Sequence, residues 1–207
     1  MTATLTKAKT YTREAYLAFE IEAETRNEYR DGEIVPMTGG TPEHNEITGD
    51  LLFFLKAALR GQAYSIFVTD QRLWIPAVNR YTYPNVMVVR RPLERPSGRK
   101  DTVTNPILIA EVLSNSTEAY DRGDKFAAYR TIPTFQEYLL IDQHCCRVEQ
   151  YVKQEANQWL FSSYSEMTAS LTLASLGVEL ALADLYENVD FEPESADVGL
   201  PESEEKS

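Results

Sequence analysis

The run Ile107-Leu108-Ile109-Ala110-Glu111-Val112-Leu113-Ser114 is apolar almost throughout. Such a run predicts a central strand covered on both faces, and so a sheet enclosed between two layers. Its one interruption is Glu111. A carboxylate among these neighbours costs several kcal/mol unless it is paired or binds a metal. A buried ion pair with an arginine is one way to meet that cost. A functional carboxylate is the reading favoured here.

The segments around this strand predict a mixed α/β domain. Thr12 to Asn27 carries Tyr16, Phe19 and Ala23 at helical spacing. Asp31-Gly32 marks a tight turn within Glu28 to Met37. Thr41 reads as an N-cap with Pro42 at the first helical position, opening a helix to about Arg60 with Ile47, Leu51, Phe54, Leu55 and Ala58 on one stripe. Strands are expected over Tyr64–Thr69, Arg72–Pro76 and Asn85–Val89. A helix from Ser116 to about Thr131 follows the central run, opened by the capping-box pattern Asn115-x-x-Glu118. Three more strands (Glu137–Ile141, Arg147–Lys153, Trp159–Tyr164) and a short amphipathic piece, Leu180 to Tyr186, close the fold. A mixed sheet flanked by helices is the simplest architecture for this order.

Length and charge set further bounds. A chain of 207 residues favours one domain, here 1–187. Eight acids and one lysine fall between Glu187 and Ser207, so −7 of the net charge of −12 belongs to that stretch. Residues 188–207 therefore read as an acidic, disordered tail. The rest is only mildly acidic, and Arg90, Arg91, Arg95, Arg99 and Lys100 cluster in one loop. The charge balance leaves a nucleic-acid partner open without arguing for it. No membrane-spanning apolar run or secretory signal is present, so a cytoplasmic address is expected. The two cysteines, Cys145 and Cys146, are adjacent, which suits reduced structural thiols better than a bridge or a zinc site.

Lys125 has a plain explanation in an i,i+4 ion pair with Asp121 on a solvated helix face. Its surroundings suggest more. Tyr83-Pro84-Asn85-Val86-Met87-Val88-Val89, Pro106-Ile107-Leu108-Ile109-Ala110-Glu111-Val112-Leu113-Ser114 and Asp121-Arg122-Gly123-Asp124-Lys125 resemble a bacterial family. So do Asn27-Glu28-Tyr29-Arg30-Asp31-Gly32-Glu33, Pro42-Glu43-His44-Asn45, Tyr129 and Glu137-Tyr138-Leu139-Leu140-Ile141-Asp142. The family is the Uma family of restriction-endonuclease-like proteins, within the PD-(D/E)XK nuclease superfamily. The likeness spans roughly Tyr11 to Tyr164.

That resemblance implies a restriction-endonuclease-like fold and a magnesium- or manganese-dependent endonuclease acting on DNA, commonly as a homodimer. By position, Glu111 is the metal-binding glutamate, Lys125 the lysine, and Glu28 the N-terminal acid. Asn85 stands where a metal-binding aspartate is expected, and His44 matches a position suited to a proton shuttle or phosphate contact. The superfamily usually sets its lysine two residues after the glutamate, where this chain has Leu113. The neutral amide of Asn85 would weaken metal binding. Nearby Asp70 is a conceivable replacement acid, or simply a turn aspartate. An inactive module of the same fold, binding nucleic acid or protein, is the alternative.

Overall fold

The structure is a computed structural model describing residues 10–191. The acidic stretch beyond 191 lies outside the described residues, whereas Val189 and Phe191 pack against the core. Among the described residues no helix is long and apolar enough to cross a membrane.

Helix α1 (Arg13–Glu22) is capped by the Thr12 hydroxyl, which accepts the Ala15 N–H at 3.1 Å. It stops short of the expected Asn27, because that residue's amide and backbone N–H are drawn to the Glu20 carboxylate at the start of β1 (Asn27–Arg30). Tyr16 is buried as expected, while Phe19 faces outward. Asp31 (φ 44°) and Gly32 (φ 105°) make the anticipated hairpin turn into β2 (Glu33–Pro36). Helix α2 (Pro42–Ala58) is capped by Thr41, and Ile47, Leu51 and Leu55 are buried along its inner stripe.

Next come β3 (Tyr64–Val68), β4 (Arg72–Ile75), β5 (Arg80–Thr82), β6 (Val86–Arg90), β7 (Thr102–Val103) and β8 (Pro106–Leu113). Strands β5 and β7 are too short to carry a periodic signal. A helical segment follows as α3 (Glu118–Tyr120), a π-helical turn (Asp121–Lys125) and α4 (Phe126–Tyr129). The capping box expected here does not form. Ser114 C=O accepts the Thr117 and Glu118 N–H groups, and the Glu118 carboxylate instead takes Arg122. The chain finishes with β9 (Glu137–Asp142), β10 (Val148–Glu155), β11 (Gln158–Tyr164), β12 (Ser170–Leu173), β13 (Val178–Ala181) and α5 (Leu182–Leu185).

Six strands form the main sheet in the order β11-β10-β9-β8-β6-β3, with β8 and β9 parallel and the other pairs antiparallel. Every residue of β8 is buried, as its composition demands. Alternation divides the sheet's two faces. Val86, Val88, Leu108, Ala110, Val112, Leu139 and Ile141 meet α2, α5 and the β12–β13 hairpin. Met87, Ile109, Leu113, Tyr138 and Leu140 meet Tyr129 and Phe135 instead. Glu111 falls by parity on this second face. A second sheet, β2-β1-β5-β4-β7, stacks Tyr29, Tyr81 and Trp74 against Tyr16 of α1.

Glu137 is a buried acid with a purely architectural set of partners. Its carboxylate accepts the backbone N–H groups of Ala174 (3.1 Å) and Ser175 (2.9 Å), the Ser175 hydroxyl (2.6 Å) and the Gln150 amide (2.5 Å). These bonds tie the β12–β13 turn to the main sheet. Glu137→Ala orphans several buried donors and is expected to lower stability by about 3 kcal/mol, read as a shift in the urea midpoint. An unshifted midpoint would show that the turn is held by its apolar contacts alone.

Candidate active site

The C-terminal end of β8 delivers Glu111 into a pocket of polar groups beneath the π-helical turn. Both of its oxygens are held. Oε1 accepts the Tyr129 hydroxyl at 2.7 Å and lies 2.9 Å from Lys125 Nζ; Oε2 accepts the Asn85 N–H at 3.2 Å. The expected ion pair between Lys125 and Asp121 exists, at 3.0 Å, but not on a solvated face. Asp121 is 2% exposed and Lys125 7%. The π turn brings both inward together, a geometry common at functional sites. Gly123 in its middle is a poor helix former and is the one local sign of this distortion.

Glu28 arrives from the second sheet. Its parity with Arg30 on β1, and the pairing of β1 with β5, set Glu28, Arg30, Arg80 and Thr82 on one face, turned toward the π turn. The Glu28 carboxylate lies 3.9 Å from Lys125 Nζ. It is also bound by the Thr82 hydroxyl, by Arg30 Nη2 at 2.8 Å and by the Tyr120 hydroxyl at 3.0 Å. Three buried carboxylates thus share Lys125, with Arg30 as the one further cation on Glu28.

Burial pushes the Glu111 carboxyl up to about 7; Lys125 pulls it down and the nearby Asp121 carboxylate pushes it further up. Burial alone would lower Lys125, but Glu111, Asp121 and Glu28 hold it well above its ordinary value, so it stays an ammonium. Burial would raise Glu28 too, but Lys125, Thr82 and Arg30 more than offset it and keep that carboxyl below its usual range.

Asn85 precedes β6 and faces Glu111 across the ladder. Its side-chain oxygen accepts the Val112 N–H at 2.8 Å, which fixes the amide's orientation and fills the place of a ladder acceptor. His44, in the first turn of α2, sits beside the Asn85 amide, and burial pulls its imidazole below the ordinary value. Its Nδ1 is buried with no hydrogen-bond partner among the described residues. Gly40 allows this approach, since a Cβ there would lie 2.6 Å from Nδ1. Asp70 occupies the turn between β3 and β4, where it pairs with Arg26 at 3.1 Å.

The structure therefore gathers Glu111, Lys125, Asn85, His44 and Glu28 into one neighbourhood. It adds Asp121, read above as half of a solvated pair, Tyr129, read above only within the family resemblance, and Tyr120 and Thr82, which the sequence did not single out. Among the described residues no three His, Cys, Asp or Glu side chains form a preassembled metal cradle. The donor set nonetheless suits a hard cation such as magnesium, which is held by one or two carboxylates and keeps waters or phosphates as its other ligands. Glu111 Oε2 and the Asn85 oxygen each accept a backbone N–H, and the excess of buried negative charge favours an added cation.

Comparison with known proteins bears on the fold and the family. A crystal structure of a "putative nuclease belonging to DUF820" from Anabaena variabilis ATCC 29413 has the same fold, with a TM-score of 0.69 at 19% identity over 86% of this chain and 98% of that one. Two uncharacterized proteins of Synechocystis sp. (strain ATCC 27184 / PCC 6803 / Kazusa) are similar in sequence. One, sll1609, is 41% identical over 82% of this chain and 96% of its own length. The other, slr1290, is 35% identical over 86% and 92%. Residues 13–183 match the model of Uma2, described as "Putative restriction endonuclease". The restriction-endonuclease-like fold expected from the sequence is thus present, and the chain belongs to the Uma2 family.

Proposed function

We propose that this chain is a magnesium- or manganese-dependent endonuclease that hydrolyses phosphodiester bonds of DNA, with a site weakened by Asn85. The observation that carries the reading is the convergence of Glu111, Asp121 and Glu28 on Lys125 at the end of the central strand. A purely structural ion pair would balance its charges, one cation to one carboxylate. This cluster leaves negative charge over.

Glu111 and the Asn85 oxygen would hold the cation, with Glu28 close by but already engaged. When bound, a divalent cation neutralises charge on the phosphate and lowers the pKa of a water. The protein's own groups do the rest. Tyr129 fixes Glu111 Oε1 and leaves Oε2 facing Asn85. Lys125 carries a preorganised positive charge for the transition state, in a site where such charge counts more than in water. His44, kept neutral by burial, is able to accept a proton from the attacking water. The reading includes a cytoplasmic homodimer, since two copies would be needed to cut both strands in one encounter.

The test is nicking of supercoiled plasmid in manganese, with and without a chelator. Activity that persists in the chelator would overturn the metal dependence. The pH profile offers a second test. Glu111 holds a cation only when ionised, so the rate should rise about tenfold per pH unit up to about pH 7 and then level off. The sign for stability is the opposite. A carboxyl raised in the folded state binds its proton more tightly there than in the unfolded chain. The metal-free protein should thus lose stability between the ordinary carboxylate range and about pH 7. A flat rate across that window would separate Glu111 from catalysis.

Asn85 also favours a second reading, a nuclease-fold module without catalysis. Its amide oxygen is already committed to the Val112 N–H, and its nitrogen can only donate.

A further inference from the structure

Arg80 and Arg30 occupy directly opposed positions in the β5–β1 ladder. Like charges at such positions repel. Arg30 is compensated by Glu28, through both Nε (3.0 Å) and Nη2 (2.8 Å). Arg80 is not. Among the described residues no carboxylate lies within ion-pair distance of it. Its Nη1 donates to the Asp124 carbonyl at 3.1 Å, and its Nε is buried without an acceptor. The guanidinium is therefore held in place by the π turn while its Nε lacks an acceptor and, among the described residues, no carboxylate pairs with it. Tyr120 joins the two arginines, with Arg30 3.7 Å and Arg80 5.7 Å from its ring centroid. Lys125 Nζ lies 5.7 Å from the same centroid. The unmatched guanidinium thus sits one side chain away from the candidate catalytic cluster, partly open to solvent.

We propose that Arg80, supported by Arg30 across the ladder, forms a phosphate-binding subsite beside the Glu111–Lys125 centre, which grips the backbone phosphate neighbouring the one to be cleaved. A phosphate oxygen supplies the acceptor that the guanidinium lacks, and its charge relieves the opposition of the two arginines. The chain as a whole is acidic, so a fixed local cation is needed for any polyanion to approach this face. The identity of the ligand as nucleic acid rests on the function proposed above; the affinity for phosphate does not.

Two probes separate these claims. Thermal melts of the native protein and of Arg80→Gln are compared in inorganic phosphate and in chloride of equal ionic strength. The melts in chloride control for any effect of the substitution on folding. Phosphate should raise the melting temperature of the native protein and not that of R80Q, with Arg80→Lys between the two. Equal phosphate response in native and R80Q proteins, including none in either, would overturn the subsite. Binding of a short DNA duplex in chelator, titrated with salt, gives the second arm. R80Q should weaken binding several-fold and reduce the slope of log K against log salt by about 0.9. A native protein that binds no duplex yet loses its phosphate response on R80Q keeps the subsite and discards DNA as its ligand. An unchanged slope in a protein that does bind duplex would remove Arg80 from the substrate path.

Discussion

Glu111→Gln is expected to reduce manganese-dependent plasmid nicking by about three powers of ten while leaving the fold intact. The size follows from the role: it removes the carboxylate proposed as the principal cation ligand, and losses of 10²–10³ accompany the removal of single preorganised electrostatic groups. The fold should survive because the substitution removes a charge that the protein stabilises poorly. Burial already pushes this carboxyl up to about 7, so a neutral group of the same shape suits its surroundings above that pH. Glutamine can still accept from Tyr129 and Lys125 through its oxygen. Its nitrogen meets the Asn85 N–H, a donor against a donor, which costs about 1 kcal/mol and partly cancels the gain. The expected melt is therefore equal to the native one or higher. Undiminished nicking would remove Glu111 from the chemistry. A collapsed melt would instead make the residue a keystone of packing, as Glu137 is.

Much of this arrangement is legible in the sequence, and the reasons differ by residue. Glu111 stands out because a central strand admits no acid without a purpose. The Asp31-Gly32 turn and the Thr41–Pro42 cap are local signals, and local signals survive folding. The helix after β8 shows the limit of that rule. Asp121 and Lys125 are four apart, a spacing that fits a solvated pair equally well, and only the tertiary fold decides which face is covered. The capping box failed for a similar reason: Glu118 had a better partner in Arg122, which also reaches Glu149 on β10. Thr82 carries no signal of its own, and Tyr129 has one only through the family resemblance. They matter because β5, too short to read, runs beside β1 and brings the second sheet against the π turn. The opposition of Arg30 and Arg80 is likewise a property of strand register, which single-sequence patterns do not fix.

Asn85→Asp should raise metal affinity by one to three powers of ten, and nicking with it. Asn85 is already fixed in place: its side-chain oxygen takes the Val112 N–H, its backbone N–H meets Glu111 Oε2, and its amide sits by His44. An aspartate retains the first contact and places a second, charged oxygen where the amide nitrogen now is. One charge at about 4 Å, at an effective dielectric near 20, attracts a cation by up to ~4 kcal/mol before solvation offsets it, and each 1.4 kcal/mol is tenfold. The same charge works against the metal-free protein, because it joins a cluster in which Glu111 and Asp121 already outnumber their cations. N85D should thus melt lower than the native protein in chelator and gain more from manganese, and the two shifts together identify a restored cation site. Nicking that appears only in N85D would make the native chain a nuclease that has lost its activity and keeps the fold for binding. If N85D gains neither metal response nor cleavage, the cluster around Lys125 is an ion-pair network that holds the second sheet to the first.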